Sequence, residues 1–146
     1  MSLKKWADNG WLRPHETSPQ EIANLLSIVD RDLNDADGGI SADWRFGIAY
    51  NAALKLYTIL LYVSGYRAER TLQHYRTIQA MPLVLGAERK EDAKYLDACR
   101  KKRNIVEYDY VGGATADDAN ELIAFVRDLR EEVLTWLKEN HSELLS

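Results

Sequence analysis

The chain has 146 residues, of which 46% are apolar and 29% charged, and its formal net charge is -4 at pH 7. This balance is typical of a soluble globular protein, and the length predicts one domain over residues 1–146, with residues 1–17 as an N-terminal extension. The negative charge excludes a chain that coats nucleic acid through bulk charge, but it leaves room for a local basic patch.

The first predicted helix begins at the SPQE segment, where Ser18 can cap, Pro19 suits the first turn and Glu21 can complete a capping box. Gly38 and Gly39 end this helix, because glycine adopts the left-handed conformation that a helix terminus needs. Apolar residues recur at helical spacing between these ends: Ile22, Leu25, Leu26, Val29 and Leu33.

The second predicted helix covers residues 42–64 and is apolar around most of its circumference, so we expect it at the centre of the fold. Residues 46–66 are long enough to cross a bilayer, but Lys55 near their middle would cost about 3 kcal/mol there, so we predict no membrane span. One polar stripe follows this helix and faces either water or a cleft: Trp44, Ile48, Asn51, Lys55, Thr58 and Tyr62.

Three further segments complete the predicted fold. A more polar helix covers residues 67–80 and stops before Pro82, a fourth runs from about Glu91 to Tyr110, and a fifth starts at the capping residue Thr115. No stretch shows the alternation of a strand. Short connections between long amphipathic helices predict an all-α fold, an antiparallel up-and-down bundle of four to five helices.

The fourth helix contains the stretch RKKRNIVEYDY, residues 100–110. On a helical wheel Arg103 lies on the apolar line of Leu96 and Val106, so we expect it to point inward, with Glu107 one turn away as its partner. The plainest interpretation is a structural ion pair between Arg103 and Glu107, since buried pairs are common devices of structural specificity.

The remaining polar residues of this stretch divide between two sides of the helix. Arg100 and Asn104 lie on one flank of the inward line, whereas Lys101 and Lys102 fall on the far side, where we expect them to be solvated. Tyr108 lies well round from Arg103, because a spacing of five residues does not return to the same ridge.

These residues resemble the motif of the HEPN superfamily, small helical bundles of toxin–antitoxin, CRISPR and RNA-processing proteins. The family motif is Arg, often a polar residue, several positions later a His and, in some toxins, a Tyr two places beyond. Arg103 and Asn104 match its start and Tyr110 its last Tyr, whereas Tyr108 stands in place of the His. The resemblance extends from about Ser18 to Leu137.

The resemblance implies a homodimer in which two motif helices form a basic cleft that cleaves RNA without a metal. It implies catalytic roles for Arg103, Asn104 and Tyr108. Tyr110 matches a tyrosine that a nucleotidyltransferase antitoxin can modify with AMP. The expected binding residues of the cleft are Arg100, Glu107 and Lys55.

The missing histidine matters, because a tyrosine with a reference pKa near 10 is a poor general base at neutral pH. His74 is an alternative base if the third helix lies beside the fourth, and otherwise it is an ordinary surface or hydrogen-bonded histidine. We therefore predict a HEPN-like dimer that binds RNA or a nucleotide, as a degenerate toxin–antitoxin component. The alternatives are an active metal-independent endoribonuclease toxin and a non-catalytic structural or partner-binding bundle.

The sequence contains no P-loop, zinc spacing or dinucleotide fingerprint. Cys99 is the only cysteine, so an intrachain disulfide cannot form. The Lys pair near the N-terminus is not followed by an apolar run of the kind found in a secretory signal. We therefore expect a cytoplasmic protein without a metal or a cofactor.

Overall fold

A computed structural model describes residues 2–108 and 111–145, apart from the side chains of Glu107 and Tyr108. The fold is an all-α helical bundle with one small two-stranded sheet, which confirms the predicted fold class. The helices are α1 Leu3–Asp8, α2 Pro19–Ala36, α3 Ala42–Val63, α4 Gln73–Gln79, α5 Met81–Leu85, α6 Lys90–Tyr108 and α7 Ala116–Asn140, and the strands are β1 Leu12–Pro14 and β2 Tyr66–Ala68.

Helix α3 occupies the centre of the bundle, as its apolar circumference predicted. Helices α2, α6 and α7 all pack against it, and its side chains are buried almost continuously from Phe46 to Val63. By length and composition α3 would be able to cross a membrane, but 67% of its most apolar window is buried inside the fold. Burial on several sides is what an apolar helix needs in order to remove its surface from water.

Helices α2 and α7 begin at the predicted capping residues. The Ser18 hydroxyl accepts a hydrogen bond from the Glu21 backbone N–H, and Thr115 forms a complete capping box with Asp118. The Ser18 box is only half formed, because the Glu21 carboxylate instead accepts from the Thr17 hydroxyl and lies 2.7 Å from His15 Nε2.

The small sheet joins the N-terminal segment to the end of α3. Strands β1 and β2 are antiparallel, with Leu12 opposite Ala68, and both residues are buried in the core. The sequence shows no alternation at these strands, because three residues are too few for such a pattern. His15 stacks on Tyr62 with ring centroids 3.9 Å apart, which further fastens this segment to the bundle.

The third predicted helix, residues 67–80, is only partly helical. Its first residues belong to β2, and α4 begins only at Gln73 because Leu72, a non-glycine residue, adopts a left-handed φ of 58°. Between the third and fourth predicted helices the chain forms α5 and a 3-10 turn, Ala87–Arg89. Pro82 lies in the first turn of α5, where its missing N–H breaks no helical hydrogen bond.

Candidate functional site

A basic cleft opens between α4 and α6, which pack side by side. Its volume is about 330 Å³ and it is open to solvent. This arrangement meets the condition under which the sequence made His74 a candidate base, because His74 now lies beside the Arg100 and Asn104 side of α6. The polar residues that define the basic cleft are Arg70, Gln73, His74, Arg100 and Asn104.

His74 is half-buried at the base of this cleft. Its Nδ1 lies 3.2 Å from the hydroxyl oxygen of Tyr50, and burial raises the pKa of Tyr50 so that this hydroxyl keeps its proton. Burial, followed by the charges of Arg103, Lys55 and Arg100, lowers the pKa of His74. The imidazole is therefore neutral at neutral pH and stands in a positive electrostatic field.

Two arginines on α6 are held by aromatic and polar neighbours. The Arg103 guanidinium lies 5.7 Å from the centre of the Tyr50 ring, which places it on the inward side of α6 as the wheel predicted. Arg100 lies on the flank, where its Nε donates to Asp97 at 2.8 Å and its guanidinium is 5.5 Å from the Tyr75 ring. Arginine held over aromatic faces is well placed to bind planar or anionic groups.

Part of the predicted site lies outside the described residues. The side chains of Glu107 and Tyr108, and the whole of Tyr110, belong to this part. The ion pair between Arg103 and Glu107, and the roles of both tyrosines, therefore remain predictions. One α6 residue differs from expectation, since Lys102 lies 3.2 Å from the Asp118 carboxylate of α7 and is not simply solvated.

The polar stripe of α3 faces clefts along its length, which decides between the two alternatives that the sequence left open. Lys55, Thr58 and Tyr62 line a depression of about 130 Å³ that His74 also borders. Trp44, at the other end of the stripe, lines a larger cavity. The stripe therefore lines depressions of the surface along α3 and does not form one flat solvated face.

This larger cavity, here named the Trp44 cavity, lies between α2, the first half of α3 and the end of α6. Its volume is about 550 Å³, which is within the range of about 300–1,000 Å³ that is usual for small-molecule sites. No pattern in the sequence predicted this cavity. The lining includes Asp32, Trp44, Gly47, Ile48, Asn51, Arg103, Val106 and Val111.

A buried polar network closes one side of the Trp44 cavity. The Asp32 side chain is almost fully buried and accepts hydrogen bonds from Arg31 at 3.0 Å and from the Asn51 amide at 2.7 Å. The sequence contained a signal for Asp32, since it follows Val29 by three positions and so shares the buried face of α2. An acid on such a face needs polar partners, and Asn51 supplies one of them.

Gly47 is a second residue of the cavity whose role was not predicted from the sequence. It lies inside α3, where glycine costs about 1 kcal/mol relative to alanine. A Cβ at this position would have no neighbour within 4 Å apart from the helix itself, so packing does not require glycine here. Its effect is to widen the Trp44 cavity, which it lines.

The comparisons with known proteins give one result. No protein-family model, curated protein or solved structure matches this chain. Among the described residues, no group of three or more His, Cys, Asp or Glu side chains is placed to hold a metal ion. The described site contains cations, a histidine and aromatic rings.

The lowered pKa of His74 predicts a dependence of stability on pH. Between the folded pKa and the unfolded value of about 6.5, the unfolded chain holds more protons, so stability falls as the pH decreases through this window. We expect His74→Gln to lose less stability than the wild type between about pH 7.5 and 5.5, as measured by thermal denaturation. An equal loss of stability in the wild type and in His74→Gln would contradict a neutral, half-buried imidazole.

Proposed function

We propose that this chain binds RNA or a ribonucleotide, with the phosphate held in the basic cleft. The observation that carries the proposal is that Arg70 and Arg100 line one cleft with His74, while Lys55 lines the neighbouring depression that His74 also borders. These cations gather around one histidine in a chain whose net charge is -4, so their local concentration is not an effect of overall composition.

Phosphate is the anion that best fits the donors of the basic cleft. Arginine side chains offer forked N–H donors that match phosphate oxygens, and Arg70, Arg100 and Arg103 lie in or beside the cleft. Asn104 and Gln73 add neutral donors, and Tyr75 offers a ring near Arg100. Single-stranded nucleic acid is typically bound by this combination of cations and aromatic faces.

The HEPN resemblance leads us to propose the kind of assembly in which this binding takes place. The inward position of Arg103 and the neighbouring Asn104 support the motif match, and a homodimer would bring a second copy of α6 to the same cleft. In this proposal the chain is a cytoplasmic, degenerate toxin–antitoxin component. Its antitoxin would be a nucleotidyltransferase that acts on Tyr110.

The proposal is tested by the salt dependence of binding to a short single-stranded RNA. Arg70→Ala removes an exposed cation of the cleft, and we expect weaker binding and a slope of log K against log salt that is smaller by about 0.7. Fluorescence anisotropy at several salt concentrations measures both quantities.

Arg127→Ala is the matched control for this experiment. Arg127 is also an exposed arginine, but it lies on α7, where it pairs with Asp37 away from the cleft. We expect the wild-type slope for this variant. If neither variant changed the affinity, or if the wild type bound no RNA, the non-catalytic structural bundle would be the better explanation.

A metal-independent endoribonuclease is the second candidate, and His74 is the observation that favours it. When Nδ1 donates its proton to Tyr50, Nε2 is the free proton acceptor that a general base requires. In this reaction Nε2 takes the proton of a ribose 2′-hydroxyl, the 2′-oxygen attacks phosphorus, and the bond to the 5′-oxygen breaks to leave a cyclic phosphate. The 5′-oxygen regains a proton from the imidazolium or from water, and Arg103 stabilises the charge of the phosphorane.

A further inference from the structure

The Trp44 cavity and the basic cleft are connected through Arg103 and Tyr50. Arg103 lines the cavity, and its guanidinium lies 5.7 Å from the centre of the Tyr50 ring, whose hydroxyl is 3.2 Å from Nδ1 of His74 in the cleft. A ligand that has a phosphate in the cleft therefore has a second compartment within reach of the same arginine. The chemistry of that compartment differs from that of the cleft, because its walls are largely apolar.

The indole of Trp44 gives the Trp44 cavity an exposed, flat aromatic surface. Trp44 is 63% exposed and Val111 is 93% exposed, although both are large apolar side chains. Ile48 and Val106 continue this apolar lining inward. A planar ring that stacks on the indole and contacts these side chains would remove this surface from water, as nucleobases do on aromatic side chains.

The polar side of the cavity offers a defined pattern of donors and acceptors. One amide N–H of Asn51 donates to Asp32, which leaves its second N–H as a donor. Its Oδ1 accepts no hydrogen bond from any residue that the structure describes. One donor beside one acceptor is the pattern that an asparagine uses to bind the amino group and ring nitrogen of adenine.

We propose that the Trp44 cavity receives an adenine base of the RNA or nucleotide whose phosphate lies in the basic cleft. Trp44 stacks on the base, Asn51 reads its amino edge, and Arg103 lies between base and phosphate. This assignment rests on the proposed function and adds a preference among bases to it. Adenine is favoured over uracil because uracil presents a carbonyl oxygen where adenine has its amino group.

Gly47 gives independent support to this assignment. Neither helix propensity nor packing requires glycine in the interior of α3, and any larger side chain here would occupy the cavity. A ligand explains why this space is kept open. Gly47→Leu therefore blocks the cavity while replacing glycine by a better helix-forming residue.

The test compares an eight-nucleotide oligoadenylate, an oligouridylate and an abasic ribose phosphate of the same length by titration calorimetry. We expect Trp44→Ala and Gly47→Leu to weaken oligoadenylate binding about tenfold or more, and to change the abasic affinity by less than about twofold. We expect Asn51→Ala to reduce the preference for oligoadenylate over oligouridylate. Circular dichroism and the thermal midpoint check that each variant is folded.

Adenosine monophosphate distinguishes a free nucleotide from an RNA as the source of the base. If Trp44→Ala and Gly47→Leu weaken the binding of adenosine monophosphate as much as that of oligoadenylate, the cavity binds a free nucleotide. If they weaken only the binding of oligoadenylate, the cavity binds RNA. If both variants bind oligoadenylate as tightly as the wild type, the cavity assignment is overturned. A loss of RNA affinity in Arg70→Ala would still support phosphate binding in the basic cleft. If no probe binds the wild type, the proposed function and this assignment fail together.

Discussion

An Arg103→Ala variant should bind single-stranded RNA about tenfold to a hundredfold more weakly than the wild type, since a hydrogen bond to a charged group contributes about 1.5–3 kcal/mol. Arg103 lines the Trp44 cavity, lies over Tyr50 and acts electrostatically on His74. Its loss therefore affects both compartments of the site. Fluorescence anisotropy at about 0.15 M salt, where surface charges are already screened over about 8 Å, measures this effect.

Lys101→Ala is the matched control, because it removes the same charge from the same helix two residues earlier. The Lys101 side chain is 69% exposed and belongs to the far side of α6 from the Trp44 cavity. We expect the affinity of this variant to stay within about twofold of the wild type, because an exposed lysine such as Lys101, even when paired with Asp97, contributes little. Equal losses in the two variants would show that RNA responds only to net charge, and no loss in Arg103→Ala would contradict the site.

The endoribonuclease candidate makes a sharper prediction about His74. If the chain cleaves RNA, His74→Gln should lower the rate about 10²- to 10⁴-fold, which is the usual contribution of a general base. Glutamine retains much of the size and hydrogen-bonding capacity of histidine but cannot accept the proton of a hydroxyl group. Because the pKa of His74 is lowered, the wild-type rate should rise with pH only in the acidic range and then stay constant.

Two comparisons make this cleavage experiment decisive. His141→Gln removes a histidine at the far end of α7, beside Glu143, and should leave the rate unchanged. Cleavage that is equal in the wild type, His74→Gln and Arg103→Ala would come from a contaminating nuclease. Tyr108→His restores the residue of the family motif, and activity that appears only in this variant would indicate a degenerate site in which His74 is not the base.

Much of the fold followed from local patterns in the sequence. The caps at Ser18 and Thr115 and the apolar circumference of α3 predicted the main helices, because these signals depend on residues within one or two turns. The wheel also placed Arg103 on the inward side of α6, where the structure has it over Tyr50. These features need no knowledge of which helix lies beside which.

The features that the sequence did not predict depend on residues far apart in the chain. The Trp44 cavity needs α2, α3 and the end of α6 together, so the role of Gly47 and the partner of the buried Asp32 could not be predicted before these helices were packed. His74 was ambiguous for the same reason, because its Tyr50 partner and its neighbouring cations lie on other helices. Local periodicity specifies which face of a helix is buried, but not what that face encloses.

The pairing of β1 with β2 also constrains the order in which the chain folds. Leu12 and Ala68 face each other across a loop that contains the whole of α2 and α3. Closing such a long loop is entropically costly before those helices have packed, so we expect β1 and β2 to pair only after the centre of the bundle has formed. Because Arg70 follows β2 by two residues, we expect the adjoining edge of the basic cleft to become rigid with this pairing.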